Sequence, residues 1–242
     1  MPLSTPGYWA TSRSHRYSLL FALPLLLLYE LLELVAPIRS SGGVIRNGAD
    51  VLLTALFTAL LGPRGPLVFM ALVIGGALYL IWRDRRGGPL RGRVFALMTG
   101  ESIVLALLFG LVVGTATMHL LGPLRSLAAG GMPQSALSRL TLSLGAGLYE
   151  ELLFRVVLVA LISNALRLIG LSRLFAGAIA TVVGALLFSA FHYIGPFGEP
   201  YRIESFVFRA LSGIAFSALY LTRGFGITAW THALYDVAVL LG

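Results

Sequence analysis

Apolar residues run along this chain in long blocks rather than in strict alternation. Blocks near 18–36, 66–82, 94–121, 139–163, 174–194, 205–222 and 226–241 each approach the roughly 20 residues that carry a helix across a bilayer. Short polar segments rich in arginine, glycine and proline separate them. An eighth block, 50–61, would rise only about 18 Å as a helix, short of a hydrocarbon core of roughly 30 Å. It is expected either to cross obliquely with extended ends or to re-enter. The pattern predicts an all-α fold, a polytopic transmembrane helical bundle forming a single domain over 1–242. No internal repeat and no soluble domain interrupts it.

Composition sharpens that picture. Hydrophobic residues make up 57% of the chain and charged residues only 12%, and the mean hydropathy is +0.88, far from the balance of a soluble domain. All 18 basic residues are arginine. Most lie between the apolar blocks, so the net charge of +8 reflects placement in a lipid bilayer and names no nucleic-acid partner. The absence of cysteine excludes disulfides, thiolate nucleophiles and cysteine-bound zinc.

Arg83, Arg85, Arg86, Arg91 and Arg93 crowd one loop, which the positive-inside rule places in the cytoplasm. Counting onward puts the Arg167/Arg173 loop and Arg223 on the same side. The side of the N-terminus depends on whether 50–61 spans. The first block lacks a small-residue cleavage site and carries Glu30 and Glu33, so it is expected to be a retained helix. An integral, multi-pass protein of a bacterial inner (plasma) membrane is the expected setting.

Ionisable side chains at bilayer depth cost several kcal/mol and turn toward protein or water. Three clusters meet that description. In Leu148-Tyr149-Glu150-Glu151-Leu152-Leu153-Phe154-Arg155, Glu151 and Arg155 are four apart and share a helical face, while Glu150 is turned about 100° from Glu151. Glu151 with Arg155 reads as a buried ion pair, and Glu150 is left without a partner on its own helix. In "LFSAFHYIGP", Phe188 and His192 share a face one turn before Gly195-Pro196. In "WTHALYD", His232 and Asp236 are again four apart. Each pattern alone fits an ordinary hydrogen-bonded core residue. Three of them on separate helices can converge on one polar cavity.

Taken in order, Glu150-Glu151-x-x-x-Arg155, Phe188-x-x-x-His192 and His232-x-x-x-Asp236 resemble the motif set of the CPBP intramembrane proteases, which include the type II CAAX prenyl endopeptidases and the Abi proteins. The resemblance covers the motif-bearing half, 139–242. It implies a bundle of about eight membrane helices and an endopeptidase acting on a membrane-associated protein or peptide. It further implies that Glu150 with His192 activates a water, that Glu151, Arg155 and Phe188 support the site, and that His232 and position 236 face the oxyanion. Asp236 stands where the prenyl endopeptidases tend to have Asn. An ionised Asp cannot donate a hydrogen bond, so either His232 donates with Asp236 holding its tautomer, or Asp236 is protonated.

No cofactor is favoured. Zinc remains the alternative, with Glu150, His192, His232 and Asp236 as an N/O ligand set, although no His-Glu-x-x-His pair is present. A competing function is a membrane transporter, or a non-catalytic scaffold, using the same buried cluster. A transporter predicts inverted repeats and broken helices, and the chain has neither sign.

The remaining charged groups receive simpler readings. Glu30 and Glu33 are expected to line the cavity or pair with arginines, in a structural or substrate-contact role. Glu101 is expected to snorkel toward headgroups. Asp50, after Asn47-Gly48, reads as a helix N-cap. Gly177 and Gly184 are expected to permit close helix packing.

Overall fold

The computed structural model describes residues 7–40, 43–85, 88–121, 135–195 and 198–241. Arg86, Gly122, Pro123 and Pro196 lie outside them. A short helix α1 (Tyr8–Ser12) precedes α2 (His15–Val35) and a two-stranded antiparallel hairpin, β1 (Ile38–Ser40) and β2 (Gly43–Ile45). Then come α3 (Gly48–Leu61), α4 (Gly65–Arg83) and α5 (Gly92–Leu121). Next, α6 (Ala136–Gly145) runs through two π-helical segments, Ala146–Glu150 and Leu152–Val159, into α7 (Ala160–Leu168). Junction residues keep helical backbone angles, so 136–168 is one continuous helix with widened turns at its centre. Finally α8 (Arg173–Phe191), α9 (Ile203–Arg223) and α10 (Phe225–Leu241) complete an all-α bundle.

Burial is inverted relative to a soluble protein. Arg155 is 2% exposed, whereas Leu107 is 67% exposed and Leu111 66%. Charges sit inside and leucines outside, as expected where the surrounding solvent is hydrocarbon. By length and composition, His15–Val35, Gly48–Arg83, Gly92–Leu121, Arg173–Phe191 and Ile203–Arg223 are apolar enough to cross a membrane. The protein is an integral membrane protein.

Within Gly48–Arg83 the chain folds back on itself. The rings of Phe57 and Phe69 lie 5.2 Å apart, whereas twelve residues of uninterrupted helix would separate them by about 18 Å. A 3₁₀ turn at Gly62–Arg64 makes the reversal, with Gly62 at φ +68°, a conformation open chiefly to glycine. Block 50–61 is therefore the first arm of a helical hairpin. It starts at Asn47, beside Tyr29 in the last third of α2 and Glu150 near the middle of its helix. Asn47 is the cap of this helix, its side chain accepting from the Ala49 N–H. That corrects the assignment of the cap to Asp50, which is buried and accepts instead from Tyr29 and Arg46.

The N-terminal end of α2 meets the arginine-rich loop. Arg16 donates its backbone N–H to Asp84 and its guanidinium to the Gly88 carbonyl, and Arg13 reaches the Leu221 carbonyl. The starts of α2, α5 and α10 and the ends of α4 and α9 thus share one end of the bundle, the end that carries the arginine-rich loop. Glu101 lies at this end too, and it does not snorkel. It accepts from Arg223 Nε at 2.5 Å and from Arg223 Nη2 at 2.7 Å, and from the Tyr8 hydroxyl. Arg223 is 2% exposed. Binding a carboxylate across helices satisfies that guanidinium better than any contact within its own helix could.

Helix α10 occupies the centre, packed against α2, α5, α6, the first π-helical segment and α9. Small residues allow the approach. A Cβ on Gly147 would fall 2.4 Å from the Ala229 carbonyl oxygen, and one on Gly226 would fall 2.2 Å from that of Ser18. Gly184 likewise packs on Val159, but Gly177 has no atom within 4 Å of its Cβ position. Close packing is therefore confirmed for Gly184 and corrected for Gly177.

Candidate functional site

The three motif-bearing helices meet around His232. Its Nδ1 lies 2.7 Å from Glu151 Oε1, and its Nε2 lies 4.0 Å from Glu150 Oε2 and 3.6 Å from Asp236 Oδ2. Adjacent carboxylates thus flank one imidazole on its two nitrogen sides. Glu150 and Glu151 take different places around the ring. The alternative in which Asp236 holds the His232 tautomer does not agree with this placement. Glu151 occupies Nδ1, and because a carboxylate only accepts, Nδ1 carries the proton and Nε2 faces Glu150 and Asp236.

π-Helical geometry contributes to this arrangement. Bonding from i to i+5 widens the turn and recurs at functional sites, and both carboxylates lie in or at the edge of such segments. Hydropathy carries no trace of it.

Beneath the imidazole, Glu151 and Arg155 form the expected ion pair, with Nε 3.1 Å from Oε2 and side chains 1% and 0% exposed. The contact is short but not aligned as a hydrogen bond, and the Arg155 nitrogens have no hydrogen-bond partner among the described residues. Aromatic faces take up the charge instead. Arg155 lies 4.5 Å from the Phe188 ring centroid and 5.6 Å from that of Phe216, within the range of cation–π attraction.

Phe188 is the hub of the aromatic support. Its ring meets that of His192 at 5.0 Å and that of His232 at 6.2 Å, both edge-on. His192 caps the C-terminal end of α8, and its Nδ1 lies 2.9 Å from the Phe188 carbonyl oxygen. A carbonyl cannot donate, so Nδ1 bears the proton and neutral His192 presents a bare Nε2. His192 makes no hydrogen bond to Glu150 but lies within electrostatic reach of it.

Two residues of the site are absent from the motif reading. Asn47, from the start of α3, donates its amide Nδ2 to Glu150 Oε1 at 3.0 Å. Phe216, from α9, stacks on His232 with ring centroids 4.4 Å apart. Nothing local marks Phe216. Asn47 was visible as part of a capping sequence, but its 103-residue separation from Glu150 hides the contact.

Among the described residues no group of three or more His, Asp or Glu side chains is disposed to hold a metal ion. Glu150 and Asp236 approach the same nitrogen of His232, so the side chains point at one another rather than at a common centre.

Fold and site together define a polytopic α-helical membrane protein with a buried carboxylate–imidazole centre. Residues 132–238 match a family model described as "Rce1-like: Type II CAAX prenyl endopeptidase Rce1-like", so this part of the chain is similar to the type II CAAX prenyl endopeptidases, in keeping with the resemblance to the CPBP family. That family implies a protease of the CAAX intramembrane endopeptidase type. Neither the search of curated proteins nor that of solved structures gives a match.

Proposed function

We propose that the protein hydrolyses a peptide bond of a membrane-associated protein or peptide, using a water activated by Glu150 and His192. The observation that carries this reading is the division of labour around His232. Glu151 fixes one nitrogen, leaving the other beside Glu150 and Asp236. Glu150, oriented by Asn47, takes a proton from water as the oxygen attacks the carbonyl carbon. His192 accepts a hydrogen bond from the same water through its bare Nε2 and so holds it in place for attack. His232, with Nδ1 protonated against Glu151, acts as the imidazolium, whose second proton on Nε2 donates to the oxyanion, where one positioned donor contributes roughly 3–4 kcal/mol. The proton held by Glu150 passes to the departing amine, and the two new termini leave.

The test compares protein termini, by mass spectrometry, in membranes of cells expressing wild type or Glu150→Gln. Termini that require Glu150 are the expected result and would reveal substrate and cleavage site. Their absence with both forms well expressed and folded would overturn the reading. In this proposal the water needs no metal, so purified protein is expected to stay active in chelator. About one zinc per chain, required for turnover, would move water activation to the metal.

A further inference from the structure

A second polar cluster adjoins the site and has no part in the hydrolysis described above. Tyr149, the residue before Glu150, donates to Glu30 Oε1 at 2.6 Å. Arg46 binds Glu30 at 3.0 Å and Asp50 at 2.5 Å. Tyr29 donates to Asp50 at 2.9 Å and accepts from the backbone N–H of Asn47. Asn47 in turn contacts Glu150. Glu33 stands within electrostatic reach of Arg46, Asp50 and Glu30.

Glu33 is the unexplained member. It is 6% exposed, and neither of its carboxyl oxygens has a hydrogen-bond partner among the described residues. A buried carboxyl without donors is costly. Arg46, the cation facing Glu33, is already shared between Glu30 and Asp50. Two carboxyl groups therefore hold one guanidinium, and Glu33, one helical turn from Glu30 on α2, is left without a cation or N–H donor of its own. The opening of the cluster lies at Glu30 and Arg46, whose side chains are 32% and 33% exposed.

The missing partner has a definable chemistry. No set of three acidic or histidine side chains among the described residues is disposed to hold a metal ion, which disfavours a small inorganic cation. A lysine ammonium offers three donors and an arginine guanidinium five, enough to satisfy Glu33 and share Glu30.

Resting on the endopeptidase reading, we propose that Glu33, with Glu30 and Asp50, forms a subsite for a basic side chain of the substrate. Tyr149, which donates to Glu30 and immediately precedes Glu150, couples the position of that side chain to the scissile bond. The protein thereby selects membrane-associated polypeptides carrying lysine or arginine at a fixed distance from the cleaved bond.

The experiment measures binding without turnover. Purified Glu150→Gln protein in lipid nanodiscs is titrated with short apolar peptides that differ only in a single lysine or norleucine, moved position by position. At one position lysine should bind about tenfold or more tighter, the usual worth of a charge-assisted hydrogen bond. That preference should vanish when Glu33→Gln is added and persist with Glu33→Asp. If Glu33→Gln fails to fold, Glu30→Gln serves instead and should weaken the preference. No lysine preference at any position, or one unchanged by these carboxyl variants, overturns the subsite. Glu150-dependent termini in cells report on the protease reading separately, so lysine-selective binding without such termini would sink that reading and leave the subsite standing.

Discussion

Replacing Arg155 by leucine isolates the electrostatic foundation of the site. The substitution removes a guanidinium that is 2% exposed and leaves Glu151, fully buried, with His232 as its remaining close partner at 2.7 Å. Breaking one side of a buried ion pair costs about 3–5 kcal/mol. Loss of the contacts to Phe188 and Phe216 adds roughly 1–2 kcal/mol, and the buried leucine returns about 2 kcal/mol. The net loss is about 3 kcal/mol, or a fall in Tm of roughly 6–12 °C for a chain of this size. Thermal unfolding in detergent, followed by tryptophan fluorescence, reads it. Adding Glu151→Gln should recover part of the loss, because the stranded charge is then gone. A single variant melting within about 2 °C of wild type, or a double variant less stable than the single, would refute the reasoning.

Asn47→Ala should lower kcat well below the wild-type value in a cleavage assay, because Glu150 loses its amide donor at 3.0 Å; it should also cost about 1 kcal/mol of stability through the lost cap of α3. Gly147→Ala should destabilise by about 1–3 kcal/mol, since its Cβ would meet the Ala229 carbonyl oxygen at 2.4 Å. Gly177→Ala, with open space, should be neutral or slightly stabilising in the same melt. Asp236→Asn should preserve cleavage, because an amide at that place, 3.6 Å from His232 Nε2, supplies a donor to the oxyanion; loss of cleavage with intact folding would make the carboxylate itself essential.

How much was legible in sequence follows from the range of each interaction. Apolar block length located the membrane helices, and four-residue spacing located Glu151 with Arg155, because both regularities live on a single helix. The same spacing placed Phe188 beneath His192 and Asp236 beside His232. Partners across helices were invisible. Glu101 and Arg223 are 122 residues apart, and each alone looks like an interfacial charge. Tyr149 and Glu30, 119 apart, give no shared signal. Spacing along one helix offers Asp236 as one of two ways to prepare the oxyanion donor, by holding the His232 tautomer, whereas the bundle brings Glu151 closer to the ring. Asp50 looked like a cap from its place after Asn47-Gly48, yet the asparagine took that role. The lysine-free composition spoke for membrane orientation and not for any of these contacts.

The widened turns between Ala146 and Val159 also set a rule for sequence length. An α-helix advances about 100° per residue. A π-turn holds about one residue more than an α-turn. Removing one residue here would therefore return the helix to ordinary winding with Ala136–Gly145 and Ala160–Leu168 near their present facing, so that Gly145, whose bare face admits the Tyr29 ring with a Cβ position 2.6 Å from Cε2, keeps its contact. Glu150 and Glu151, which lie in or at the edge of the widened turns, would be re-aimed instead, so a single-codon deletion here would spare the packing of both ends and strike the two carboxylates alone.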